Sequence, residues 1–207
     1  MKKIFFAGLL CVVGFSSLAQ DTNQGSEIKT LISKYNEIKG FGALDFKLTD
    51  IASERAMVMG AYGGLIVNKQ FILGLGGYGL ATDVDFPVSD EIEVDLRGGY
   101  GGIMLGYIIA PREVIHVTMP VFIGAGSFHM INERFDFNNF PRDVNLESSS
   151  FAVVEPGLQV EVNISKILRL GFGASYRLIQ GTDFDADLSD EDLSGFAGNV
   201  TVKIGKF

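Results

Sequence analysis

From residue 151 onward the chain alternates oily and polar positions with a period of two. Ala152, Val154, Pro156, Leu158, Val160 and Val162 share one face, while Glu155, Gly157, Gln159, Glu161 and Asn163 share the other. A second run repeats the scheme, with Leu168, Leu170, Phe172, Ala174, Tyr176 and Leu178 opposite Arg169, Gly171, Gly173, Ser175 and Arg177. Period two is the mark of a strand with one apolar face and one polar or small face. Strands are predicted at 42–49, 55–67, 71–81, 93–109, 114–127, 151–163, 167–179 and 194–206. The runs at 55–67 and 71–81 are apolar or glycine on both faces and leave their direction open. Before them, Ile28, Leu31, Ile32, Tyr35 and Ile38 follow steps of three and four, which predicts a short amphipathic helix from an N-cap at Ser26 to a stop at Gly40.

After the first link, at 50–54, the connections alternate in length. Those at 68–70, 110–113 and 164–166 are tight turns, whereas 82–92, 128–150 and 181–193 are long. In an up-and-down sheet every second connection lies at the same end, so one rim collects the tight turns and the other the long loops. Transmembrane β-barrels have this asymmetry, with short periplasmic turns and longer extracellular loops. Eight strands also return both chain ends to the short-turn rim.

The glycine-rich alternating strands, the loop asymmetry and a last strand running from Phe196 to a terminal Phe207 resemble the small outer-membrane β-barrels of Gram-negative bacteria, the eight-stranded class that includes the OmpA transmembrane domain and OmpX. The resemblance covers residues 40–207 and implies an all-β, eight-stranded antiparallel up-and-down transmembrane β-barrel. It also implies that Phe207 is an assembly signal read by the barrel-assembly machinery. Two features depart from the pattern. Phe196, Val200, Val202 and Ile204 are out of phase with Phe207, so either a bulge near Gly205 restores phase or Phe207 lies beyond the strand. There is no tryptophan, which leaves Phe and Tyr to form any aromatic girdle.

Alternation alone does not say which face points inward. An eight-stranded interior is just wide enough for side chains, and Glu155, Glu161, Arg169, Arg177 and Lys203, with Asp45 and Lys47, could neutralise one another there. A turn centred on Ser165 would place Glu161 directly across from Arg169. The alternative is a soluble, secreted or periplasmic barrel binding an apolar ligand, with every strand facing the other way.

Composition narrows the setting. Hydrophobic residues make up 47% and charged residues 20%, which excludes a disordered chain. A formal charge of -8 makes a nucleic-acid partner unfavourable. Lys2 and Lys3, an oily run from Ile4 to Phe15, and Ser16-Ser17-Leu18-Ala19 read as a secretory signal over 1–19, followed by a periplasmic segment with the helix over 20–40 and the barrel over 41–207. Cys11 lies inside the signal, so no disulfide, thiol chemistry or lipid anchor is expected of the mature chain.

Candidate chemistry is sparse, and no cofactor, catalytic set or metal centre is expected. Two long loops are acidic, one through Asp83, Asp85, Asp90, Glu91, Glu93 and Asp95 and the other through Asp183, Asp185, Asp187, Asp190, Glu191 and Asp192. Asp183, Asp185 and Asp187 have the spacing that opens a calcium loop, but Leu188 stands where the turn glycine is needed and Ser194 where the closing glutamate is. They are weak candidates for cation attraction, and such a rim could hold divalent ions that bridge lipopolysaccharide. The loop at 128–150 holds Phe128, Phe135, Phe137 and Phe140, which suits either recognition or an extension of the hairpin beyond the membrane. Ser127 and His129 fall on one side of an extended chain with Glu133 near, the outline of a lipid-hydrolysing site, although the outer-membrane lipid A deacylases it resembles have the reverse order. The expected role is therefore non-catalytic, structural or surface-interacting, with outer-membrane lipid and lipopolysaccharide as its surroundings.

Overall fold

The computed structural model describes residues 37–52, 54–82, 85–89, 92–135, 141–183 and 189–207. Nine strands follow in order: β1 (Ile38–Ile51), β2 (Glu54–Val67), β3 (Phe71–Leu80), β4 (Asp85–Ser89), β5 (Ile92–Ile109), β6 (Ile115–Phe135), β7 (Pro141–Asn163), β8 (Leu168–Gln180) and β9 (Gly195–Gly205). A single four-residue turn of helix, α1 (Asp190–Leu193), precedes β9. Neighbours pair antiparallel in the order β3-β2-β1-β9-β8-β7-β6-β5-β4, and β3 also pairs with β5, which closes the sheet into a barrel. β4 continues along the upper end of β5 where β3 leaves off, so nine strands occupy eight positions round the wall.

The register fixes the tilt. The row Phe46, Met59, Gly79, Gly99, Ser127 reaches β7 at Ser150 by one route, while Phe46, Val200, Phe172 reaches it at Val160 by the other. The two arrivals are ten residues apart, the stagger that closure of tilted strands requires. Both ends of the barrel chain lie on the short-turn rim, where Phe41 pairs with Gly205.

The oily face is outside. Leu48, Leu75, Phe172 and Phe196 are 69%, 68%, 54% and 76% exposed, while Glu161, Arg177 and Lys203 are buried. This overturns the inward-oily, soluble alternative, since soluble proteins rarely expose so continuous an apolar wall to water and a membrane barrel needs one. The outward apolar stretch runs from Ile38 to Leu48 on β1 and from Phe196 to Ile204 on β9, close to the roughly 9–11 residues a tilted strand needs to cross a bilayer.

Glycines explain the strands whose two faces looked alike. Inward aromatic rings sit directly opposite glycine: Tyr62 across from Gly76, Tyr78 from Gly60, Tyr100 from Gly126, and Phe128 from Gly98. A methyl group at Gly60 would lie 2.2 Å from the Tyr78 ring. The narrow interior accommodates these four rings because a residue facing each of them has no side chain.

Three expectations need correction. The segment 128–150 is mostly strand: β6 continues to Phe135 and β7 starts at Pro141. The β7–β8 hairpin is centred on Lys166, not Ser165, so Glu161 faces Gly171 and Arg169 faces Asn163. Ile164 and Ser165 both donate to the Leu168 carbonyl, which sets this later centre, and the shift keeps both charged residues inside. Ile38 and Gly40 belong to β1, drawn into the sheet by pairing with Val67 and Leu65. The rest of the expected helix, and the leader, lie outside the described residues. Of the two readings of Phe207, the one that holds is that it lies beyond β9: the strand ends at Gly205, where a side chain would collide with Phe41 and the Gly40 carbonyl.

Candidate functional site: the lumen and its two rims

The alternation that places apolar residues against lipid sends the polar ones into the barrel. Three carboxylates, Asp45, Glu155 and Glu161, meet four cations, Lys47, Arg169, Arg177 and Lys203, all buried. At mid-height, Lys47 Nζ is 2.7 Å from Glu155 Oε1 and 3.9 Å from Asp45 Oδ2. Tyr100 donates to Glu155 Oε2 at 2.8 Å and Ser175 to Oε1 at 2.5 Å. Asp45 accepts from Thr201 at 2.6 Å and Tyr78 at 3.2 Å, and Gln159 Nε2 donates to Thr201 at 2.8 Å. The Lys47 ammonium also lies 3.5 Å from the centroid of the Tyr78 ring. Every member of this cluster spends its charge on another member.

Lower down, Glu161 takes a hydrogen bond from Lys203, lies 3.3 Å from His116 Nε2, and reaches Arg169 at 4.0 Å. Arg169 stacks on the Phe207 ring, 3.8 Å from its centroid, so the chain's last residue covers the lower mouth instead of facing lipid. At the upper end, Arg177 Nε donates to the Leu193 carbonyl at 2.9 Å and ties α1 to the wall. Leu193 is fully buried and belongs to the same apolar cluster as Ile51, Leu96, Phe128, Phe151, Val153 and Ile179. The space among Asp45, Lys47, Tyr78, Glu155, Gln159 and Asn199 is about 20 Å³, room for roughly one water and no solute.

Sequence parity gathered the charged residues on one face of their strands, and the exposure of the opposite, oily face is what puts them in the lumen. Parity did not reveal the hydroxyl groups of Tyr78, Tyr100, Ser175 and Thr201 that donate to Asp45 and Glu155, because those donors come from strands far apart in the chain. Their inward parity was the available signal.

The long-loop rim is shaped by two of its acids. Asp190 accepts from the Gly181 and Thr182 amides and from the Thr182 hydroxyl, and Asp192 from the amide and hydroxyl of Ser189. Burial opposes ionisation of Asp190, but these hydrogen bonds outweigh it and hold the carboxyl below its ordinary value. Asp192 is lowered by its bonds from Ser189. Asp183 is held by its own amide, which donates to Ser149 Oγ at 2.7 Å. Asp185, Asp187 and the side chains of the other acidic loop lie outside the described residues. Among the described residues no group of three or more potential metal ligands is gathered.

Ser127 and His129 point outward from β6, with Ser127 Oγ 3.3 Å from His129 Nε2. Among the described residues His129 Nδ1 has no hydrogen-bond partner, so none of their carboxylates orients the ring. The neighbouring backbone amides are committed to the β5–β6–β7 ladder, which leaves no pair of donors for an oxyanion. Glu133 lies in the part of β6 whose side chains are not described.

No family model matches the chain, and no curated protein matches it. Among solved structures it is similar to Neisserial surface protein A (NspA), at 10% identity and a TM-score of 0.55, over 84% of this chain and 100% of that one. It is also similar to Ail, the attachment invasion locus protein of Yersinia pestis (10%, TM-score 0.45, covering 82% and 98%), and to the outer membrane protein OprG from Pseudomonas aeruginosa (11%, TM-score 0.39, covering 82% and 93%). The fold shared with NspA, together with the exposed apolar wall, makes this chain an integral membrane β-barrel of the outer-membrane type.

Proposed function

We propose that the chain is a non-catalytic protein of the Gram-negative outer membrane that acts through the surface it raises outside the cell. The observation that carries this reading is the closed lumen combined with the length of one hairpin. β6 and β7 are 21 and 23 residues long, about twice what a crossing needs, while the space among the described lumen residues at mid-height is about 20 Å³, too small for a solute. An envelope structural or surface-interaction role through the acidic and Phe-rich loops follows, with a positively charged partner favoured by their charge. Lipopolysaccharide and the barrel-assembly machinery are the partners this placement implies, the latter reading Phe207 before its ring closes on Arg169.

Two measurements test the reading. In planar bilayers the purified barrel should give no stable conductance steps; regular openings would refute it. Intact cells displaying the chain should bind a fluorescent polylysine probe more than cells displaying the Asp183→Asn, Asp185→Asn, Asp187→Asn variant. Equal binding would remove the acidic loop from the proposal.

A further inference from the structure

The short-turn rim carries a cation wherever the chain reverses or ends: Lys69 between β2 and β3, Arg112 between β5 and β6, Lys166 between β7 and β8, and Lys206 after β9. Glu37 and Glu113 are the acids among them. Glu37 serves two lysines, Lys39 at 2.7 Å and Lys69 at 3.3 Å, and their hydrogen bonds lower its pKa. The chain as a whole carries -8, so this collar is a local reversal of sign.

Two of these turns enclose a recess. Pairing of β3 with β5 brings the β2–β3 and β5–β6 turns side by side, with the Ile108 amide donating to the Gln70 carbonyl at 2.8 Å. Asn68, Lys69, Gln70, Ala110, Arg112 and Glu113 line a space of about 360 Å³ between them. Asn68, Lys69 and Ala110 have positive φ angles of 54°, 63° and 53°, and these tight reversals present their side chains at the rim. Directly above, on the outer wall, the Phe71 and Tyr107 rings meet edge to face at 5.2 Å, and Tyr107 Oη accepts from Gln70 Nε2 at 3.1 Å. Above these rings the wall is aliphatic, with Leu73 and Leu105 exposed. A cationic recess under an aromatic pair and an oily wall has the shape and polarity of one amphiphile with an anionic head.

We propose that this recess seats the phosphate head of an anionic glycerophospholipid of the periplasmic leaflet, its acyl chains lying over Phe71 and Tyr107. The site rests on the outer-membrane reading, and its test separates the two. Because the chain has no tryptophan, Phe71→Trp makes a single reporter above the recess and Phe172→Trp makes one on the far wall of β8. The full barrel with either change is folded into phosphatidylcholine vesicles holding a minority of phosphatidylglycerol, with brominated chains on one lipid or the other.

At the Phe71→Trp reporter, brominated phosphatidylglycerol should quench about fivefold more per mole than brominated phosphatidylcholine, the attraction of about one surface cation. Adding Lys69→Gln and Arg112→Gln should bring the two lipids to parity, and the Phe172→Trp reporter should show parity throughout. Parity at Phe71→Trp with the rim intact, or a preference that survives loss of both cations, overturns the proposal. So does abolition of the preference by inorganic phosphate at constant ionic strength, which would make the recess a pocket for the free anion. Absence of quenching at both reporters would overturn the membrane placement and the site with it.

Discussion

Replacing Glu161 by Gln keeps the shape of the side chain and removes the carboxylate that Lys203, His116 and Arg169 share. Glu161 is wholly buried and Lys203 is 3% exposed, so water does not take over the lost interaction. Breaking one side of a buried pair typically costs about 3–5 kcal/mol, because the remaining charge stays desolvated. The opposite change, Lys203→Met, should cost less, since Glu161 keeps His116 at 3.3 Å and Arg169 at 4.0 Å. The double variant removes both charges and should lose about 2–3 kcal/mol less than the sum of the singles, the coupling expected of neighbours in one network. Urea titration of the vesicle-folded barrel, scored by the difference in gel migration of unheated and heated samples, gives the three midpoints. Single losses below about 1 kcal/mol, or strictly additive ones, would refute the view that this cluster is a sealed ionic network.

Three further outcomes follow from the same geometry. On β7, Val160→Arg should cost about 2–4 kcal/mol in the same titration and Ser150→Arg, on the same face ten residues higher, under about 1 kcal/mol; equal costs would sink the assignment of the membrane level. Gly60→Ala, whose methyl would press on Tyr78, should lower the folded fraction, whereas Gly42→Ala, with nothing within 4 Å of its new atom, should leave it unchanged; indifference at both positions would contradict the packing. Asp190 and Asp192 are held below the ordinary 3.8, so their caps are fully present above that pH and fail as the pH falls through the lowered values; the Gly181, Thr182 and Ser189 amide signals in NMR spectra should move below pH 3.8 and stay fixed above it.

How much of this was legible in the sequence depends on what surrounds each segment. Where lipid lies outside, period two is clean, and 167–179 was read within one residue of β8 (Leu168–Gln180). Above the membrane both faces of the β6–β7 extension can be polar, so Glu133 and Arg134 read as loop although the backbone pairs as far as Phe135 with Pro141. The hairpin centre was missed by one residue because Ser165 and Lys166 are equally suited to a turn, and only the bonds to the Leu168 carbonyl decide between them. α1 left no periodic signal, being a single turn held by Asp192 reaching back to Ser189. In the lumen, parity gives the charged set, but closure of the barrel gives its partners. Lys47 and Glu155 are 108 residues apart, and Asp45 and Thr201 are 156 apart, distances at which spacing carries no information.

The interior changes character partway up the wall without any change of phase, and this locates the membrane a second time. On β6 the inward positions run from His116 and Thr118 through Phe122 to Phe128 and Met130, while the outward ones run from Ile115, Met119 and Ile123 to Ser127 and His129. Burial of apolar surface is favourable wherever the alternative is water. Within the bilayer the outside already satisfies the apolar residues, so the inside must take the polar ones and neutralise them. Above it the outside is wet, and the interior reverts to the oily core of a soluble protein. The crossover between Phe122 and Ser127 is thus the boundary between two sealing mechanisms, an ionic network below and an apolar plug under α1 above. A single substitution in one layer leaves the other intact, so opening a path through this barrel requires that both fail.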